Sequence, residues 1–434
     1  MTPQSPFLMI APVRDGQMDT LRALLMSMNK TVGHADPENS LVPFGRFDRL
    51  HVARFVILEA KTTEEIQAHG VAPYPWRPCL AFLGDCDGDR ESFLAELAMH
   101  AGPGLTEIFS CCEGFSGQEN DLLPWMQACP VRPQANYINW IGRTVTQVRE
   151  EAALHRSLSL YLQEIIDNVD RKNTRALRQK LLSHVELEKH AGRLTLTPPA
   201  PTPACWKIRN MLHKIGIPLI LLILSPLFVA AAPFFVWRLR MLERADPDIV
   251  IRPDRQHVRE LSTLEDQDVS NQFNVFGDVK PGFFRLFTLR FLLLLVDYSA
   301  RHVYQRGYLT RIRTIHFARW VLMDNNRRVF FASNYDGSHE SYMDDFINKV
   351  AWGLNLVFSN GVGYPPTRWL VKDGATQEQK YKYTLRRHQL PSAVWYKAYP
   401  GMTAYDLSRN SRIREGVEVR PSSDAEIREW LSLI

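Results

Sequence analysis

The chain has no CxxC pair, no Walker-type phosphate loop, no dinucleotide fingerprint, no HExxH and no nucleophile elbow. Each absence removes a chemistry, because thiolate metal clusters, nucleotide hydrolysis, nicotinamide redox, zinc peptidase and serine hydrolase activity all need residues at spacings that are missing. The six cysteines, Cys79, Cys86, Cys111, Cys112, Cys129 and Cys205, fall at no metal-ligand spacing. Polar and proline positions occupy the first residues, where a secretory signal would be apolar, so reduced, buried thiols in a cytoplasmic setting are expected. A stripe of Lys and Arg is also absent. The net charge is only +5 over 434 residues, with basic side chains dispersed outside the apolar segment and the C-terminal third, which argues against nucleic acid as a partner.

What is present is a globular composition, 45% hydrophobic and 23% charged, long enough for two or three domains or one large duplicated core. Duplication is visible directly. Leu50–Glu59 (LHVARFVILE) aligns with Ile315–Asp324 (IHFARWVLMD), Leu80–Leu94 with Val329–Met343, and Gly104–Gly114 (GLTEIFSCCEG) with Gly353–Gly363 (GLNLVFSNGVG). Identities number 14 of 36 positions, and the last two blocks share one gapless offset, so a repeat is the simplest explanation. Shared residues include His51/His316, Arg54/Arg319, Asp87-Gly88/Asp336-Gly337 and Glu91/Glu340.

A strand-like run and a helix precede each copy: Phe7–Pro12 with a helix near Met18–Met28, and Gln272–Phe276 with "VKPGFFRLFTLRFLLLLVDYSARHV". The unit therefore reads β-α-β-β-α-β, the ferredoxin-like pattern, with strands rich in β-branched and aromatic residues and a tight turn at Asn325-Asn326. A four-stranded sheet with helices on one face leaves the other face uncovered. Two such sheets cover each other, so an α+β fold of two ferredoxin-like repeats packed as a pseudo-two-fold barrel is expected.

On these blocks, which span roughly residues 5–115 and 270–365, the chain resembles the dimeric α+β barrel superfamily, which includes dye-decolourising peroxidases, chlorite dismutase-like haem proteins and cofactor-free monooxygenases. The resemblance admits haem as cofactor. The peroxidase Gly-x-x-Asp-Gly loop is not kept in copy two, which has "SNYDG"; in copy one "GDCDG" at Gly84–Gly88 fits the letters at a strand-to-helix corner.

Between the copies, Ile215–Trp237 (IGIPLILLILSPLFVAAAPFFVW) is an uncharged run that, as a helix, reaches about 34 Å, enough for a bilayer core. Membrane contact is the inference. Basic residues flank both ends, Lys207, Arg209 and Lys214 before and Arg238, Arg240 and Arg244 after, so the positive-inside bias places both ends, and the bulk of the chain, on the cytoplasmic face. Halves of one barrel cannot lie on opposite sides of a membrane. With Pro218, Pro226 and Pro233 interrupting it, a monotopic hairpin bent near Ser225-Pro226 is expected, with "FFRLFTLRFLLLLV" beside it near the interface.

The expected organisation is residues 1–118 as repeat 1, 119–194 as a helical insertion, 195–206 as a proline-rich linker, 207–245 as the apolar segment, 246–365 as repeat 2 and 366–434 as a helical, basic-aromatic extension. In the insertion, "VTQVREEAALHRSLSLYLQEIIDNV" and "TRALRQKLLSHVELE" have helical spacing and suit an antiparallel pair against the barrel or another subunit. The extension begins with a helix ending before Pro391. Its later aromatic and basic residues read either as headgroup or substrate contacts or as ordinary amphipathic surface.

The candidate catalytic residues are His316, Arg319, Asn334, Asp336 and His339. His316 has the chemistry of a proton shuttle or an axial haem ligand. Its recurrence as His51 cuts against a unique ligand, because a feature shared by both halves is more simply a requirement of the fold. Asp336-Gly337-Ser338 has the form of a turn and helix cap, with Glu340 near the positive helix end, while Asn334, Tyr335 and His339 are unique to copy two and so suit an asymmetric function. His190, His302 and His388 are isolated candidates for iron ligands. The function expected is a membrane-docked protein that binds and oxidises or otherwise transforms a lipid-derived substrate, as a peroxidase- or monooxygenase-like oxidoreductase. The alternative is a non-enzymatic lipid-binding or scaffold protein. Partners are membrane lipid, a hydrophobic small molecule and, for an oligomer, further copies of the chain.

Overall fold

Both Asp-Gly corners end a strand and start a helix. Gly88 and Gly337 take φ of 79° and 86°, which a side chain would resist, and the next residues, Asp89 and Ser338, accept the backbone N–H of Ser92 and Ser341 as helix caps. The computed structural model describes residues 1–129, 131–165, 167, 173–304, 309, 311–419 and 423–434. The first copy runs β1 (Gln4–Pro12), α1 (Met18–Ser27), β2 (Leu50–Leu58), β3 (Cys79–Asp87) and α2 (Arg90–Ser110). The insertion and linker follow as α3 (Leu122–Ala128), β4 (Ala135–Ile138), α4 (Val145–Ile165), α5 (Thr174–His190), α6 (Ala204–Ala245) and α7 (Arg255–Leu264). Copy two is β5 (Ser270–Asp278), α8 (Phe283–His302), β6 (Ile315–Met323), β7 (Arg328–Asp336) and α9 (His339–Phe358), and the tail adds α10 (Glu378–His388), β8 (Ser392–Lys397), α11 (Ala404–Glu418) and α12 (Asp424–Leu431). Of the helix expected over 145–169, residues 166 and 168–169 lie outside the described ones.

Two four-stranded antiparallel sheets result, ordered β1-β3-β2-β8 and β5-β7-β6-β4. The first three strands of each sheet come from one stretch of the chain, residues 4–87 in one and 270–336 in the other. The fourth does not. β4 follows copy one but pairs with β6 of copy two, and β8 follows copy two but pairs with β2 of copy one. The expectation that each copy completes its own β-α-β-β-α-β unit is therefore corrected to a reciprocal exchange of fourth strands. On the way across, the Val131 N–H donates to the Leu8 carbonyl at 3.0 Å and the Leu390 N–H to Asn274 at 2.9 Å, so each connection touches the edge of its own sheet before joining the other.

Exchange is favourable because the faces to be covered are apolar. Leu8, Leu58 and Leu83 of one sheet meet Phe276, Val321 and Phe330 of the other in a shared buried cluster. Each such side chain contributes about 1.5–3 kcal/mol relative to exposure. The tail is part of this core: Val394, Trp395, Tyr396 and Tyr399 are buried in and beside β8, whereas Tyr405 further on stays exposed. Outside the sheets, α4, α5, α11 and α12 pack through Leu154, Leu158, Leu181, Ile413 and Trp430.

The apolar segment is one continuous 42-residue helix, α6, rather than a hairpin. Each proline removes an N–H and frees the carbonyl four residues earlier. Two of those carbonyls have found hydroxyl donors: Tyr298 of α8 donates to Lys214, the partner lost to Pro218, at 3.1 Å, and Ser225 donates to Leu222, the partner lost to Pro226, at 2.7 Å. Replacement donors of this kind let a proline-containing helix continue. The proline-rich linker accordingly ends one turn earlier than expected, at Pro203.

Candidate functional site

The two histidines shared by the copies sit at β-bulges in matching places, where the pairing register slips between Leu50 and Val52 and between Ile315 and Phe317. A bulge re-aims its side chain. His51 Nε2 meets Asp87 Oδ1 at 3.0 Å, and His316 Nε2 meets Asp336 Oδ1 at 2.6 Å. The second oxygen of each carboxylate accepts the first N–H of the helix after the exchanged strand: Val145 of α4 at 2.9 Å for Asp87, Ala404 of α11 at 2.6 Å for Asp336. Each His–Asp pair is thus a latch between one copy's sheet corner and a helix N-terminus, where a carboxylate also favours the helix dipole. Burial pushes the Asp336 carboxyl up, but the His316 ring and the donors His316, Ser270 and Ala404 outweigh it and hold it below the usual range.

Arg319 and its counterpart Arg54 point between the sheets. Arg319 is paired with Asp85 and also donates to the Phe7 and Gly84 carbonyls; Arg54 donates to Asn274 at 2.9 Å, to the Ser333 carbonyl and to Asn334. In the repeat register Asp85 and Asn334 are equivalent positions. Arg319 is therefore ion-paired, whereas Arg54 is held by neutral oxygens alone. Burial and the neighbouring Arg319 lower Arg54 to about 9, while burial raises Asp85 against the pull of Arg319.

His339, in the first turn of α9, lies 5.9 Å from the Phe273 ring, and burial, reinforced by Arg386, lowers it to about 3. It is neutral at pH 7. Both its ring nitrogens, and Nδ2 of Asn334, are buried without a hydrogen-bond partner. Of the other histidines, His388 is held by Glu65 at 3.0 Å, His302 by His213 at 2.9 Å, and His190 closes the last turn of α5.

The structure brings His316 to Asp336 and, separately, Arg319 and Asn334 to the inter-sheet core, with His339 apart from both. His51 and His316 line one cavity with Gln4, Asn139, Phe317 and Tyr399; its volume is about 10 Å³. That is room for one water. Haem does not fit at His316: Nε2 of the ring is committed to Asp336, and the space beside the ring is water-sized. Among the described residues no cluster of three or more His, Cys, Asp or Glu is arranged for a metal ion.

Two contributors escaped the sequence reading. Tyr298 is signalled only indirectly, by the carbonyl that Pro218 must orphan. Glu243 in the last turn of α6 accepts from the backbone N–H of Trp369 and Leu370, at 2.9 and 2.8 Å, and no pattern announces that pairing. Compared with family models, curated proteins and solved structures, the chain has no significant match.

Proposed function

We propose that the chain is a monotopic, lipid-binding membrane protein: two ferredoxin-like repeats closed as a pseudo-two-fold α+β barrel, held on the cytoplasmic face of a bilayer by α6. The observation that carries this reading is how α6 is fastened. His213 meets His302 at 2.9 Å, Phe228 contacts Phe291 at 5.7 Å between ring centres and Phe235 contacts Phe284 at 4.8 Å, so α6 runs antiparallel along α8. Its far end is bolted by Asp246 to Lys280 at 2.8 Å and to Arg285 at 2.5 Å. α8 belongs to the body, since Leu289, Leu293 and Ala300 are in the copy-two core.

A helix lying along the body for about 30 Å cannot cross a bilayer without taking the body with it. It can lie in one leaflet. Leu219, Leu222, Ile223, Leu227, Val229 and Phe234 are exposed, between 51% and 73%, a stripe too long to be left to water. The test is flotation of the full chain with lipid vesicles. The wild type should float and Leu222→Glu with Ile223→Glu should stay in the aqueous fraction; a wild type that stays behind overturns the reading.

A second reading, in which copy two transforms a bound hydrophobic molecule, is supported by the unpartnered polar atoms of Asn334 and His339. It predicts that lipid turnover, once an activity is measured, falls on Asn334→Ala and His339→Phe while folding is kept. Unchanged turnover rejects it.

A further inference from the structure

We propose that the short hairpin Thr367–Asp373 is a second membrane-inserting element, which places Trp369 in the headgroup layer of an anionic phospholipid leaflet. This rests on the monotopic reading of α6 and extends it. The hairpin is two paired residues on each side, Thr367 with Asp373 and Arg368 with Lys372. At its tip Trp369 and Leu370 both hold left-handed backbone, with φ of 60° and 58°, and Asp373 follows with φ of 61°. Consecutive left-handed non-glycine residues are costly, so something must over-determine them.

That constraint is Glu243, 4% exposed, whose carboxylate takes the N–H of Trp369 and Leu370 and the Thr367 hydroxyl at 3.2 Å. Successive N–H groups in this conformation form an anion-binding concavity, here filled by the chain's own carboxylate. The conformation turns the two side chains apart: Leu370 is buried at 8% and Trp369 is 50% exposed. An exposed tryptophan held by a strained backbone is an arrangement that the body's own packing does not need.

Its position gives it a partner. The Arg240 guanidinium lies 4.8 Å over the Trp369 ring, and Phe234 and Trp237 lead up to it along α6, their rings 5.8 Å apart. Trp237 is 58% exposed and Phe283, at the start of α8, is 82% exposed. Trp369 thus continues the apolar stripe past the point where α6 becomes polar. Around that stripe stand exposed cations, Lys207, Arg209 and Lys214 before it and Arg244 and Lys372 beyond it, with Arg368 paired to Asp373, whereas Glu243 and Asp246 are turned inward and paired. Aromatic rings at headgroup depth beside exposed lysine and arginine match an anionic leaflet.

The test is partitioning of the full chain onto vesicles of phosphatidylcholine alone and of phosphatidylcholine with phosphatidylserine, for the wild type, Trp369→Ala and Arg244→Glu with Lys372→Glu, with near-ultraviolet circular dichroism confirming the fold. Trp369→Ala should lower partitioning about tenfold on mixed vesicles. The charge-reversal pair, which keeps the tryptophan and the Glu243 carboxylate that holds it, should lower it at least about fivefold on mixed vesicles and little on neutral ones. A wild type that binds neither vesicle overturns this inference and the α6 reading together. Strong binding that neither substitution weakens leaves α6 standing and overturns the hairpin's role. Equal wild-type binding to both vesicles overturns the anionic specificity.

Discussion

The Tyr298 hydroxyl donates to the carbonyl oxygen of Lys214 at 3.1 Å, across the gap between α8 and α6. That carbonyl is the one Pro218 deprives of its helical partner. One contact therefore helps α6 continue past Pro218 and ties it to the body.

Tyr298→Phe keeps the ring and removes the donor. It should cost about 1–2 kcal/mol, with faster amide exchange concentrated around Lys214. Exchange rates unchanged in that turn would show that the carbonyl does not need Tyr298.

Acid sensitivity should trace to His339. Its folded value is about 3, from burial first and Arg386 second, whereas an unfolded histidine titrates near 6.5. Below that point the unfolded chain takes up a proton that the folded chain refuses. Stability is fully present above about pH 6.5 and falls as pH drops toward 3, with a slope approaching 1.4 kcal/mol per pH unit. His339→Phe should flatten the profile of denaturant midpoint against pH between pH 4 and 6; an identical slope in the variant assigns the effect elsewhere.

The inter-sheet charges make an asymmetric prediction. Arg319→Met leaves Asp85 buried without its partner and should cost about 3–5 kcal/mol. Asn334→Asp gives Arg54 the carboxylate that Asp85 already gives Arg319, and should raise the thermal midpoint. A lower midpoint for Asn334→Asp would mean that desolvating a second carboxylate outweighs its pairing.

Much of this fold is legible in the residues. Strands rich in β-branched and aromatic residues, the Asp-Gly corners and the caps at Asp89 and Ser338 are local, so a short window contains their causes. His51 and His316 are visible as a pair because the repeat exposes them, and their pairing with Asp87 and Asp336 explains why both are present. The strand exchange is not legible: Ala135–Ile138 and Ser392–Lys397 suit either sheet edge, and the choice depends on which edge the other copy leaves open. Proline spacing in α6 argues locally for a bend, and is overruled by a tyrosine 84 residues away in sequence. Asn334 looks like a site residue because copy one has no counterpart asparagine, yet here its side-chain oxygen accepts from Arg54 across the sheet interface, as Arg319 meets Asp85.

The central claim is that α6 lies in one leaflet with both ends on the same side. Cys205, exposed in the first turn of α6, is a native probe for one end, and Arg244→Cys supplies the other. With the protein added to preformed vesicles, a membrane-impermeant maleimide in the outer solution should label both positions, and a spin label at Ile223→Cys should report a depth within the near leaflet. Labelling of one end only, or a spin label at the bilayer midplane, would contradict the account.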